Sequence, residues 1–236
     1  METSIRVSKR EMNKERKKAQ IVEAAKALVV KNGHADFTMP GLAAEANVAL
    51  VTPYTYFKSK AGVLSEVLDP NHALESASAW LSDAEHEDGF EKVMAFAQSR
   101  CDRYVQDAVL YRPVLFTLLK LDPEASADPR QADDWLRLWE EGLSLASRQG
   151  LMDQSVNVTL AAHTIRSAFV GLLGRWVRQT ISNEMFVVET QMTIALSLAG
   201  LAKKPADRKK WSGQFTASQD KLLVATPVFA HLTKSG

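Results

Sequence analysis

The segment that most constrains the fold is residues 33–64, GHADFTMPGLAAEANVALVTPYTYFKSKAGVL, where two short helical patterns are joined by a tight turn. Thr38 is suited to cap the first helix, and Pro40 falls in its first turn, where a missing N–H leaves no hydrogen bond unmade. The turn contains Asn47, the residue type other than glycine that best tolerates a positive φ. The spacing predicts a helix over about 39–46, followed closely by another.

The second helical pattern begins at Thr52, which together with Pro53 is typical of an N-cap followed by the first helical residue. Pro53 and Phe57 are four residues apart and are predicted to face the core. Residues 54–56, two tyrosines and a threonine, are then predicted to point outward. This helix should end near Lys58, so it is short.

Helical periodicity recurs along almost the whole chain, and no alternating pattern of useful length indicates a strand. In the first helix, about 12–32, Ile21, Ala24, Ala25 and Leu28 form one apolar stripe, and Gly33 follows as a C-cap. We therefore predict an all-α protein. Further helices are predicted at about 60–68, 70–85, 88–107, 111–121, 130–149, 155–182 and 184–202.

Charge and proline divide the chain into three parts. Residues 1–60 carry 11 Lys and Arg against 6 Asp and Glu, whereas residues 61–202 carry 11 against 20. A basic head on an acidic body indicates a polyanion partner at one end. Because Pro70 should interrupt the fourth helix, we predict a DNA-binding domain over 1–68, a helical domain over 69–202 and a partly ordered basic tail over 203–236.

The single cysteine, Cys101, cannot form an intrachain disulfide, and neither a signal-peptide core nor a membrane span is apparent. We therefore expect a cytoplasmic location. The five histidines show no metal-ligand spacing, and the chain has no phosphate-cradling glycine-rich loop. We expect no catalytic residues, no metal and no cofactor, so the chain is not predicted to be an enzyme.

Two short helices joined by a turn are typical of a helix-turn-helix, whose second helix enters the DNA major groove while its flanks contact phosphates. Threonine and tyrosine hydroxyls can bond phosphates or bases, and threonine methyl groups can contact thymine methyl groups. Lysines at both ends suit the phosphate backbone. These basic residues are Lys58 and Lys60 after the second helix and Lys14, Arg16, Lys17 and Lys18 in the first.

The same segment resembles the N-terminal domain of TetR/AcrR-type bacterial transcriptional regulators. The positions that match the family motif are Thr38, Leu42, Ala43, Ala46, Val48, Thr52, Tyr54, Tyr56, Phe57 and Lys60. The resemblance implies a homodimeric repressor released from a palindromic double-stranded DNA operator by a small-molecule inducer. With Lys17 added from the charge pattern, the DNA-binding candidates are Lys17, Thr38, Met39, Pro40, Leu50, Val51, Thr52, Tyr54, Thr55, Tyr56 and Lys60.

The recognition segment departs from the family pattern in ways that bear on DNA reading. Ala49 replaces a capping serine, which moves the predicted cap to Thr52. Leu50 and Val51 place apolar groups where polar readers often stand. The operator sequence cannot be derived from these residues, beyond an expectation that thymine methyl groups feature in it.

The acidic domain is predicted to bind the inducer and to dimerise. Aromatic rings with a few polar groups can line a ligand pocket, although at helical spacing each ring also fits an ordinary core. Pocket candidates are Phe96, Arg100, Arg103, Tyr104, Phe116, Trp135, Trp139, His163, Arg166 and Phe169, with an interior position expected for His163. Small residues on the long late helices imply close approach of an intrachain or partner helix, and the dimer candidates are Ala161, Ala168, Gly171 and Gly174.

Two rival functions stay open on the sequence alone. The chain could be an all-α interaction or ligand-carrier protein with a basic head, or a DNA-binding regulator controlled by a protein partner instead of an inducer. Discrete, competitor-resistant DNA binding would separate the first from a regulator, and calorimetric screening of metabolites would separate the second from an inducer-controlled repressor.

Overall fold

A computed structural model describes residues 9–68, 88–120 and 129–225 of the 236-residue chain. The regular secondary structure within these ranges is helical, which confirms the all-α prediction. The helices are α1 (Lys9–Asn32), α2 (Met39–Glu45), α3 (Thr52–Phe57), α4 (Lys60–Val67), α5 (Gly89–Gln106), α6 (Ala108–Lys120), α7 (Pro129–Arg148), α8 (Val158–Val177), α9 (Asn183–Leu201) and α10 (Pro205–Ala225).

The chain divides into two compact units. The first contains residues 1–71 and 109–127, and the second contains residues 72–108 and 128–236. The first unit thus takes α6 from the middle of the chain, a contribution that no sequence pattern indicated. The predicted helix at 70–85, with the junction at Asp69-Pro70, lies outside the described residues.

The start of α6 differs from the sequence prediction. The helix begins at Ala108, and Pro113 lies inside it. The predicted start at 111 placed that proline in the first turn, where it leaves no backbone hydrogen bond unmade. In the structure, Leu110 and Val114 are buried in the core of the first unit. The free energy gained by burying these side chains offsets the loss of the backbone hydrogen bond that an interior proline cannot donate.

The core of the first unit is aliphatic. Ile21 and Ala25 of α1, Leu42 of α2, Leu64 of α4 and Val114 of α6 are all fully buried there. Small, branched side chains let these helices approach closely, so that the short helices α2 and α3 are held in place by packing more than by their own helix propensity.

The structure contains α10 within the segment for which the sequence predicted only a partly ordered tail. Trp211, Ser218 and Leu222 are buried at spacings of seven and four, a helical repeat. The repeat is hard to recognise in the sequence because a serine occupies one inward position and basic residues surround the first. α10 packs mainly on α9.

The N-terminal end of α10 is also joined to the start of α5 by ion pairs. Lys210 Nζ lies 2.7 Å from Glu91 Oε1 and 3.5 Å from Asp88 Oδ2. Burial lowers the pKa of Lys210, but the hydrogen bond to Glu91 and the attraction of both carboxylates outweigh it and raise the pKa above its usual value. None of the described helices is long and apolar enough to cross a membrane.

Candidate functional site

The start of α2 has the capping geometry that the sequence predicts. Thr38 is extended, with φ −93° and ψ 155°, and its side chain accepts a hydrogen bond of 3.1 Å from the Gly41 N–H. Thr38 and Pro40 are exposed. Met39 is only 7% exposed and belongs to the core of the first unit, so the predicted DNA contact at this position is left to its backbone. The side chain turns inward because successive residues at a helix start point in different directions.

The turn between α2 and α3 depends on Asn47, which has φ +47° and confirms the predicted left-handed position. The Val48 N–H donates 3.0 Å to the Ala43 carbonyl and closes the end of α2. Gln20 of α1 adds a hydrogen bond that the sequence did not reveal, because its Nε2 donates 2.7 Å to the Ala46 carbonyl. α1 thereby fixes the direction in which the chain leaves α2.

The N-cap of α3 lies one residue earlier than predicted. Val51 occupies the cap position with helical angles, φ −78° and ψ −16°, and no side-chain cap. Thr52 is the first helical residue, and its N–H donates 2.8 Å to the Ala49 carbonyl. The predicted Thr52 cap is wrong because this backbone turn runs straight into the helix and leaves no extended residue for a side-chain cap to occupy.

Around α3, four exposed residues form a contiguous patch that we call the reading surface: Leu50, Val51, Tyr54 and Thr55. Pro53 and Phe57 are buried, as predicted, and hold the opposite side of the helix against the core. Thr52 is half-buried. Tyr56 is also half-buried and packs against the core of the first unit, so its prediction as a fully outward residue is wrong.

Cationic side chains lie at the end of α3 and the start of α4. Lys58 is exposed at φ +61°, and Ser59 caps α4 by accepting a 3.2 Å hydrogen bond from Gly62. Lys60 is half-buried, with Nζ 3.6 Å from Asp36 Oδ1 and 5.3 Å from the centre of the Phe37 ring. A partly exposed ion pair of this kind is weak, so Lys60 can exchange it for a phosphate at little cost.

Gly62 holds α4 against the end of α3, because a Cβ atom there would lie 2.2 Å from the Phe57 carbonyl oxygen. The basic side chains of α1 are exposed at Lys14, Arg16 and Lys17, while Lys18 is half-buried, with Nζ 3.8 Å from Glu15 Oε1. The first unit therefore combines an apolar reading surface with cations on α1 and at the start of α4.

In the second unit, aromatic rings are packed against each other in a group that we call the aromatic cluster. The Phe96 and Trp139 ring centres are 4.9 Å apart, and those of Trp139 and Phe169 are 5.7 Å apart. Edge-to-face and tilted contacts at such distances stabilise a core beyond simple burial. Phe186, Trp176 and Tyr104 complete the cluster through ring contacts of 5.2 to 6.4 Å.

Of the polar pocket candidates, Arg100 lies nearest this cluster. It is 7% exposed, with its guanidinium carbon 5.7 Å from the centre of the Phe96 ring. Arg103 and Arg166 are half-buried. His163 is exposed, so the expected interior position is wrong, because this residue lies on the outward face of α8.

Two aromatic candidates lie elsewhere. Phe116 belongs to the first unit, where its ring lies 4.0 Å from Lys120 Nζ, so its placement in the acidic domain is wrong. It was grouped with the other aromatics because nothing in the sequence shows that α6 joins the first unit. The side chain of Trp135 lies outside the described residues.

The four dimer candidates differ in their surroundings. Gly171 is exposed, and a Cβ atom there would meet nothing within 4 Å, so none of the described helices explains it. Gly174 is buried against Arg178 of its own helix, whose Nη1 donates 3.0 Å to the Gly174 carbonyl. Within the described residues no other helix approaches it, and approach by a partner helix stays a prediction. Ala161 and Ala168 are half-buried.

Several solved structures share this fold at low sequence identity. SmeT, the repressor of the SmeDEF multidrug efflux pump of Stenotrophomonas maltophilia, has a TM-score of 0.62 and 19% identity over 80% of this chain and 91% of its own. The secondary repressor NalD of Pseudomonas aeruginosa has a TM-score of 0.60 and 17% identity over 81% and 99%. The fatty acid degradation regulator FadR of Bacillus halodurans has a TM-score of 0.62 and 21% identity over 78% and 98%.

The geometry of α2, the Asn47 turn and α3 is that of a helix-turn-helix DNA-binding domain. Residues 21–67 match the family model of bacterial regulatory proteins of the tetR family. This match over the N-terminal segment confirms the resemblance that the recognition motif predicted. No curated protein matches the chain in sequence.

Proposed function

We propose that the chain is a homodimeric transcriptional repressor that binds a palindromic DNA operator and leaves it when a small molecule binds the second unit. The observation that carries this proposal is the exposed reading surface within the segment that the tetR family model matches, with exposed cations before it in the chain on α1 and after it at Lys58. An apolar patch bordered by lysines suits a groove with phosphates on its rims.

In this proposal α3 enters the major groove and places the reading surface on the base edges. The exposed Thr38 and Pro40 at the start of α2, with Lys17 and Lys60, contact the phosphates on either side. Thr52 and Tyr56 are half-buried, so their hydroxyl groups contribute at the edge of the interface.

Dimerisation is assigned to an outward surface that we call the α8–α9 face. On α8, Leu160, Thr164, Ser167 and Gly171 are exposed at spacings of four, three and four, with Leu160 66% exposed. On α9, Leu196 is 60% exposed, and Gly200 has open space around it. Small residues beside exposed leucines favour a closely packed partner helix, and a second copy of the chain supplies one.

The ligand site is assigned to the aromatic cluster and its neighbour Arg100. A largely apolar molecule with an anionic group fits this chemistry, because rings supply apolar contact and a buried guanidinium attracts a negative charge. SmeT, which shares the fold, has been solved with triclosan. The second unit of this chain is expected to open its cluster for a ligand of comparable size.

Release from DNA requires the ligand to prefer a conformation in which the two reading surfaces no longer match successive major grooves, which lie about 34–36 Å apart. We assign the movement to residues 60–68, which contain α4 and its C-cap Leu68, since this segment follows the reading surface in the chain. By linkage, DNA and ligand should weaken each other's binding by the same factor.

A gel shift against the promoter region beside the protein's own gene tests DNA binding. A discrete complex should survive nonspecific competitor DNA. Neutralisation of about six to eight phosphates per dimer predicts that log K falls with log salt at a slope of roughly −5 to −7. A flat salt dependence contradicts the proposal. Calorimetry with apolar carboxylates tests the ligand, and DNA binding without any ligand response would favour control by a protein partner.

A further inference from the structure

The reading surface lacks the side chains that normally distinguish bases by hydrogen bonds. Residues 48–57, VALVTPYTYF, contain no Arg, Lys, Asn, Gln, Asp or Glu. Guanine is usually recognised by Arg or Lys, adenine by Asn or Gln, and cytosine by a carboxylate, each through fixed donor and acceptor pairs. Residues 48–57 therefore cannot make any of these contacts.

The reading surface is instead mostly apolar. Leu50 is 56% exposed, Val51 is 67% exposed and Tyr54 is 47% exposed. Val51, the N-cap of α3, and Thr55 are four positions apart, so their side chains lie on the same side of the helix start, and Leu50 immediately precedes them in the chain. Exposed apolar groups that cluster on one surface mark a place where a partner removes them from water.

Thr55 adds a methyl group to this surface. Its hydroxyl donates a 2.9 Å hydrogen bond to the Val51 carbonyl, so its single hydrogen is already used within the protein. The hydroxyl cannot donate to a base acceptor without breaking that bond. Thr55 is exposed, and besides its hydroxyl oxygen, which can still accept a hydrogen bond, it offers its methyl group without such a loss.

The DNA major groove presents one apolar group at its base edges, the C5 methyl of thymine. Lysines beside the surface give the charge complement for phosphates, which favours DNA over an apolar protein partner. We propose that the methyl groups of Leu50, Val51 and Thr55 recognise thymine methyl groups, so that neighbouring thymines define each operator half-site. This inference rests on the proposed function.

The test starts from the full-length protein and a library of random DNA duplexes, from which the bound sequences are selected and enriched. The enriched half-site should contain thymines at two or more positions. Each of these thymines is then replaced by deoxyuridine, which removes only the methyl group. Since a buried methylene-sized group stabilises by about 0.8 kcal/mol, each replacement should weaken binding about four-fold, and about fifteen-fold when both half-sites are changed.

A second pair of duplexes separates methyl recognition from a preference for the shape of A·T-rich DNA. Replacing a contacted T·A pair by C·G should weaken binding, and 5-methylcytosine at the same position should restore part of it, because the methyl group returns while the base pair stays G·C. Deoxyuridine at thymines outside the half-site should change nothing.

Protein variants identify which side chain meets which methyl group. Thr55→Ser keeps the hydroxyl and loses the methyl, and Val51→Ala shortens an exposed side chain, so neither change threatens the fold. Each variant should bind thymine and deoxyuridine duplexes equally at one position of the half-site. Lys60→Gln serves as the matched control and should weaken both duplexes by the same factor.

Equal binding of thymine and deoxyuridine duplexes at every position would overturn the inference and leave DNA binding intact. A preference for A·T pairs that 5-methylcytosine does not rescue would also overturn it, in favour of shape recognition. Failure to enrich any sequence would instead overturn the proposed function itself.

Discussion

The two units of the chain bury and expose different kinds of apolar residue. The first packs aliphatic side chains such as Ile21 and Leu64 into its core and exposes apolar residues on the reading surface. The second packs aromatic rings together and exposes Leu160 and Leu196 on long helices. A small aliphatic core holds short helices rigidly. A cluster of large rings can rearrange in more ways around a bound ligand.

The proposed roles of the two units therefore require different degrees of rigidity. A surface that is proposed to match base edges must keep its shape, and hydrogen bonds at Thr38, Gln20 and Ser59 fix the start of α2, its end and the start of α4. The described tryptophans Trp139, Trp176 and Trp211 lie in the second unit, and the described residues of the first unit contain none. Tryptophan fluorescence therefore reports on that unit, which allows the comparison to be tested by unfolding.

The largest expected effect is on the aromatic cluster. Trp139→Ala removes a ring that contacts both Phe96 and Phe169, and it should lower the free energy of unfolding by about 3–5 kcal/mol. Urea unfolding followed by tryptophan fluorescence measures this loss. Trp139→Phe keeps a ring and should cost less. A loss below about 1 kcal/mol for the alanine variant would mean that the cluster adapts without penalty and does not hold the unit together.

The next effect is on assembly through the α8–α9 face. Leu160→Glu would bury an unpaired charge in a dimer, so the dimer dissociation constant should rise at least about 100-fold. Sedimentation analysis at micromolar concentration should show a monomer. Val109→Glu is the matched control, because Val109 is 62% exposed but lies in the first unit. If Leu160→Glu remains a dimer, the association surface lies elsewhere.

A smaller effect compares equivalent helix caps in the two units. Thr38 accepts a 3.1 Å hydrogen bond from Gly41, and Ser182 accepts one of 3.1 Å from Met185. Replacing either by Ala should cost about 1 kcal/mol. Fluorescence-detected unfolding should register Ser182→Ala, while far-ultraviolet circular dichroism should register both. Equal fluorescence shifts for the two variants would show that the units unfold as one.

The smallest effect concerns Cys101 in the core of the second unit. Burial raises the pKa of this thiol from 9.0 to about 12, although the Thr190 hydroxyl partly opposes the rise. A raised pKa means that the stabilising contribution is complete below pH 9.0 and is lost as the pH climbs towards about 12. The stability difference between the native chain and Cys101→Ala should therefore shrink only in that window. A difference that changes at neutral pH would contradict the buried, neutral thiol.

The first unit was more predictable than the second because its signals are local. Thr38, Asn47 and Phe57 each perform a role set by neighbours a few residues away, and the structure confirms them. The predicted N-cap at Thr52 is wrong by one residue, because the Thr52 N–H donates to the Ala49 carbonyl in a backbone turn and no side chain caps the helix. The burial of the Met39 side chain could not be predicted, because a motif position does not indicate which way its side chain turns.

Contacts between residues that are far apart in the chain could not be predicted from the sequence. The addition of α6 to the first unit moved Phe116 out of the predicted pocket. The exposure of His163 depends on which face of α8 the other helices cover. Because α8 is apolar on nearly all sides, its sequence does not indicate which face that is. The helix α10 was missed because Ser218 interrupts its apolar repeat.

The ion pair between Lys210 and Glu91 joins residues 119 positions apart, and its consequence concerns the order of synthesis. Domains fold as the chain emerges from the ribosome, N-terminal parts first. The helices α1 to α4 and α6 are complete long before α10 appears, so the DNA-binding unit can form early. The start of α5 cannot form its contacts with Lys210 and Trp211 until α10 has been synthesised. A chain stalled before residue 205 would therefore carry a DNA-binding unit without a complete second unit.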